Sequence, residues 1–239
     1  IDATGQDITL SGASLSPGEN GLEFQAADGG VKGLTVIFMP NTGISINGGT
    51  GNVVQGCKIG NDGTDAFANS LGVSISNGGA GNQIGGNNAA ERNIISGNTG
   101  AGIAIYNSDS NTIKGNYIGL RDNGANALAN GGGIYLNNSD MNTIGGANAG
   151  DANVISGNTD SGIRMEQGSD SNIIIGNYLG TNAAGDTSVG GGAEANIYIV
   201  DGSSNIIGSP AAANVISGNA AANGIKIAQN TGTAKNNLI

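Results

Sequence analysis

Histidine and tryptophan are both missing from this 239-residue chain. Without histidine there is no ordinary general base near neutral pH, no Ser-His-Asp triad and no imidazole to hold a metal. A single cysteine, Cys57, excludes an internal disulfide. No imidazole can activate its thiol, so Cys57 reads as a small structural residue rather than a nucleophile. Proline is held to 3 residues, too few for a collagen-like chain or a Pro-rich linker. Charged side chains are 11% of the total, 18 acidic against 8 basic, for a net charge of −10. No basic stripe meets phosphates, which excludes nucleic acid as a partner. No apolar run is long enough for membrane insertion. The chain starts at Ile1 without a signal peptide, which reads as a processed form or a piece of a longer protein.

What is present is glycine, 46 residues of it, with asparagine and β-branched residues in short runs. The runs repeat. An "N-x-[IV]" start recurs at Asn52, Asn82, Asn111, Asn142, Asn172, Asn205 and Asn237, spaced 29 to 33 residues apart. A spacing held over most of a chain marks a solenoid. Each unit carries three short apolar segments, as in "NTIGG", "NVISGN" and "GIRM" from Asn142 onward. They alternate with a period of two and are too short for helices, so each is predicted as a strand. Lined up, they give inward columns: Val54, Ile84, Ile113, Ile144 and Ile174 in the first segment, and Ile59, Ile95, Ile118, Ile155 and Leu179 in the second. The third segment gives two more, through Ile103, Ile134 and Ile163 and through Ile105, Leu136 and Met165. One coil cannot bury such a face; stacked neighbours can.

The "N-x-I-x-G" starts, the "N-[IV]-I-S-G-N" hexapeptides and the "G-I-x-[IL]" segments resemble the right-handed parallel β-helix, the pectin-lyase-like superfamily. The resemblance implies an all-β solenoid with three strands per coil and about eight coils. The whole chain, 1–239, reads as one such domain. Residues 1–51 form irregular N-terminal coils, and 52–239 form regular coils of about 30 residues. The last, "NNLI", is one strand into an incomplete turn. The superfamily includes lyases, hydrolases, tailspikes and noncatalytic surface proteins, so function has to come from the outward residues. The repeated asparagines are predicted to stack at corners, where their amides bond to one another and to backbone.

Two outward regions carry candidate chemistry. Tyr106, Tyr135, Arg164, Glu166 and Tyr198 fall on one face of successive third strands, a candidate saccharide-binding strip. The loop "NDGTDAF" sets Asp62 and Asp65 close together as a candidate calcium site, the one cofactor the sequence suggests. Near the loop ends, Phe67, Leu128 and Val189 are predicted to fold back over Ile94, Val154 and Val215. The scarcity of ionisable groups favours a noncatalytic, secreted or cell-surface β-solenoid, structural or adhesive, which can self-associate end to end into a filament. The alternative is a polysaccharide-active enzyme of lyase type, with Arg or Lys chemistry, or a saccharide-binding module.

Overall fold

The computed structural model describes residues 1–219 and 223–239. Its unit is the three-residue strand with an isoleucine at the centre. In Thr143–Gly145 the side chain of Ile144 is sealed from solvent, while Thr143 is only half-buried. Period-two alternation puts one residue per strand into the core and its neighbours outside. Glycine then turns the chain. Gly157, the fifth residue of "NVISGN", has φ 73°, a left-handed backbone that side chains with a Cβ resist.

Three sheets result. The first has seven strands, from Gly30–Lys32 to Ile206–Ile207. The second has eight, from Ile8–Ser11 to Val215–Ile216, and the third has eight, from Leu22–Phe24 to Asn223–Ala228. Every pairing within them is parallel and joins equivalent strands of successive coils, as Ile113 to Ile144 and Ile144 to Ile174. The chain visits the three sheets in turn and returns one coil further on. This is the right-handed parallel β-helix, three strands per coil. The expected columns stack in one continuous core that includes Val54, Ile84, Ile113, Ile155, Ile163 and Met165. Burying each such side chain contributes roughly 1.5–3 kcal/mol. The N-terminal strands join the same sheets, Ile8–Ser11 beside Leu34–Ile37 and Leu22–Phe24 beside Thr42–Asn47.

The corners are held by asparagine ladders. Asn111 Oδ1 accepts both the backbone amide of Asn82 and its Nδ2, each at 3.0 Å. Asn111 Nδ2 in turn donates to Gly79 O at 3.0 Å and Asn142 Oδ1 at 3.1 Å. The same pattern runs from Asn52 to Asn237. A second ladder passes through Asn93, Asn116, Asn153, Asn177 and Asn214. It ends on Cys57, whose amide donates to Asn93 Oδ1 at 2.9 Å. A third, through Asn69, Asn98, Asn130 and Asn158, was not anticipated from the sequence.

Outside the second sheet lies a smaller apolar cluster of Ile94, Tyr117, Leu120 and Val154, with Tyr178, Ala183 and Val189 against it. Of the three residues expected to fold back over this sheet, Val189 packs against the cluster that holds Ile94 and Val154. Phe67 does otherwise and meets Phe38 edge-on at 5.5 Å. Val215, also expected to lie beneath such a loop, is 38% exposed instead.

Candidate saccharide-binding face

The outward residues of the third sheet form two rows. Strand register places Tyr135 beside Arg164, Arg164 beside Tyr198 and Tyr198 beside Lys226. The parallel row runs Tyr106, Asn137, Glu166. All five residues of the predicted strip therefore share one face. They also touch one another. Tyr106 and Tyr135 meet edge to face with centroids 5.7 Å apart, and Tyr135 Oη donates to Glu166 Oε2 at 2.8 Å. Arg164 Nε donates to Glu166 Oε1 at 2.6 Å, with its NH2 on the same oxygen. Its other terminal nitrogen lies 3.6 Å from Asp160. The guanidinium also sits 5.1 Å from the Tyr198 ring, which Lys226 approaches at 4.5 Å. Lys226 closes the row with an ion pair to Glu194 at 2.8 Å. Asn137 adds a bond from its Nδ2 to Tyr135 Oη at 2.9 Å.

These contacts set the proton affinities. Partial burial pulls the Arg164 guanidinium down, but the Glu166 carboxylate and then Asp160 outweigh it and hold it above its ordinary value. Burial raises the Tyr135 phenol, and Glu166 raises it further; burial alone raises Tyr106. A base needs the opposite shift, toward neutrality. The face can offer aromatic surface and fixed hydrogen-bonding groups.

Asp160 and Glu194 were not singled out in the sequence, because they lie on the approaches to strands rather than in the alternating columns. Ser161 and Gly132, which line the same face's cleft, carry no sequence signal of their own.

The Asp62 and Asp65 loop is arranged as a turn. Asp62 Oδ1 accepts the amides of Thr64 at 2.9 Å and Asp65 at 2.8 Å, and those bonds lower its carboxyl. Lys58 Nζ donates to the Asp62 carbonyl at 2.6 Å, and Arg121 stands 3.9 Å from Asp65. Two cations thus already face this loop, and among the described residues no three Cys, Asp or Glu side chains converge as a metal cluster. Cys57 is buried, its thiol pushed up to about 11 by desolvation.

Among the described residues no helix is long and apolar enough to cross a membrane. No curated protein matches the chain. Two solved structures are similar in outline. The Dettilon tailspike protein gp208 is 16% identical with a TM-score of 0.44, over 93% of this chain and 58% of the tailspike chain. This chain therefore spans little more than half of that protein's length. An alginate lyase from Paenibacillus sp. str. FPU-7 is 12% identical with a TM-score of 0.28, over 97% of this chain and 98% of the lyase.

A family model described as periplasmic copper-binding protein (NosD) matches residues 71–219. The donors present do not fit the copper of that description. Copper takes thiolate, thioether or imidazole ligands. Residues 71–219 contain neither cysteine nor histidine. Met165 is sealed in the core and Met141 stands alone on the surface. The fold and the match agree all the same. With well over half of its length covered by that model, the chain belongs to the NosD family of parallel β-helix proteins.

Proposed function

We propose that this chain is a noncatalytic, extracytoplasmic β-solenoid, a rigid rod whose third sheet adheres to saccharide. The observation that carries the reading is the Glu166 network. One carboxylate binds both the Tyr135 hydroxyl and the Arg164 guanidinium, so the strip's polar groups are fixed and neutralised against each other. Fixed groups beside tyrosine rings favour contact with sugars. An arginine held firmly protonated supports binding over base catalysis. A location outside the cytoplasm, secreted or at the cell surface, is supported by the family's periplasmic description.

The test pairs turnover with binding. Incubation with polyuronates should release no unsaturated product detectable by ultraviolet absorbance, while Tyr135→Ala should weaken retention on the glycans that wild type binds. Product formation that disappears in Arg164→Ala would replace this reading with a lyase.

A further inference from the structure

The cleft beside Tyr135 contains a glycine that the fold does not require. Gly132 lies in the strand Gly132–Asn137, outside the left-handed region of backbone space. A Cβ built there would meet nothing closer than the Ser161 carbonyl at 4.0 Å. The glycines Gly43, Gly72, Gly102 and Gly133 of the same sheet differ, since a Cβ on any of them falls under 3.0 Å from a neighbour. A strand residue without a side chain weakens the strand, and it often marks a bulge, a bend or a close approach by another backbone or a ligand.

The space above Gly132 is a cleft of about 380 Å³, within the range of small-molecule sites. Tyr135, Arg164, Glu166 and Asp160 wall it, and Ser161 lies at its base. Ser161 is 2% exposed, and its hydroxyl has no hydrogen-bond partner among the described residues. A buried hydroxyl left unmatched in a polar cleft is a vacant hydrogen-bonding position.

Charge narrows the ligand. Among the described residues the only cation on the cleft is Arg164, and two carboxylates already occupy it: Glu166 on Nε and Asp160 at 3.6 Å. The nearest other cation of the row, Lys226, is committed to Glu194 at 2.8 Å. Acids outnumber bases at the cleft two to one, on a chain of net charge −10. A uronate or sulfate would find repulsion and no free partner. Hydroxyl groups would find acceptors in Glu166 and Asp160, a donor or acceptor in Ser161, and an aromatic wall in Tyr135.

We propose that the cleft over Gly132 is a subsite for a pyranose unit of an uncharged glycan. The inference rests on the adhesive-face reading and makes it specific in place and in ligand class.

The experiment is affinity electrophoresis of the full chain, with galactomannan and mixed-linkage β-glucan as neutral probes and polygalacturonate and alginate as anionic ones. Retardation is expected from a neutral probe, from neither polyuronate, and with little dependence on salt, since no unpaired charge is engaged. Gly132→Val starts from an uncrowded Cβ position and narrows the cleft. It should keep the wild-type melting temperature and weaken binding about tenfold or more. Ser161→Ala, with the same unchanged melt, should weaken it by a smaller factor. Salt-sensitive retardation by a polyuronate would overturn the ligand class. Neutral-glycan binding that survives Gly132→Val but is lost in Tyr198→Ala would overturn the subsite and leave the adhesive face standing. Absence of retardation by every probe would remove both.

Discussion

At the scale of the residue, asparagine does in this protein what a backbone hydrogen-bond pair does in a sheet. Its side chain has one acceptor and a two-hydrogen donor, so each Asn can receive from the coil before it and give to the coil after it. Asn111 shows the full set: it accepts from both nitrogens of Asn82 and donates to Asn142 and Gly79. It is 1% exposed, so water cannot replace a lost partner. Asn111→Ala is therefore expected to destabilise the fold by roughly 1–3 kcal/mol through buried groups left unpaired. Asn111→Asp should cost more. It keeps the acceptor for Asn82, loses the donor to Asn142 Oδ1 and places a charge in a dry corner. Urea unfolding of the three proteins at neutral pH checks the order wild type, Ala, Asp. An Ala variant as stable as wild type would mean that the ladder records the winding without holding it.

At the scale of the element, two neighbouring glycines separate what the winding demands from what it merely allows. Gly133 faces the core, where a Cβ would collide with the Gly162 carbonyl of the next coil. That atom is backbone and cannot step aside cheaply. Gly133→Ala should therefore cost about 1–3 kcal/mol. Gly132→Ala should be neutral or gain up to about 1 kcal/mol, because alanine orders a strand at a lower entropy cost than glycine. Thermal melts of the two variants side by side decide it, and equal losses would show that the cleft is not open. The pair also marks the limit of what the sequence made legible. The inward isoleucines were readable because they recur once per coil, and the strip of Tyr135, Arg164 and Tyr198 followed from the same register. The ladder through Asn69, Asn98, Asn130 and Asn158 was hidden, since two members end long loops and two end an "ISGN" segment. Ser161 and Gly132 were hidden for a deeper reason. Their meaning comes from space left by residues one coil away, and no single segment of sequence encodes a gap.

At the scale of the whole molecule, the missing histidine becomes a statement about stability against pH. A stability slope needs groups that bind protons differently when folded and unfolded. Between about pH 5 and 7 ordinary carboxylates are ionised, phenols, thiols and lysines are protonated, and only histidine normally titrates. The melting temperature should therefore be flat across that window. Below it, the sign follows from depressed carboxyls. Glu23 is lowered by bonds from Asn47, Gln25 and Asn20, Asp62 by the amides of Asp65 and Thr64, and Asp201 by those of Thr231 and Asn230. A group depressed in the fold contributes stability that is present above its unfolded value and lost as pH falls through its folded one. The acid limb should therefore begin near pH 4 and steepen below it. The alkaline limb has the opposite cause. Burial pushes the Cys57 thiol up to about 11 and raises Tyr106 and Tyr135, so these groups stay protonated in the fold after the unfolded chain has begun to ionise. Their contribution is complete below the unfolded values, about 8.5 for the thiol and 10 for the phenols, and declines above them. Melting temperatures recorded across the full pH range should trace a plateau with a shoulder on each side. The alkaline shoulder should shift to higher pH in Cys57→Ser, which has no thiol to ionise. A slope inside the plateau would reveal a strongly perturbed group in a region where the observed contacts place none.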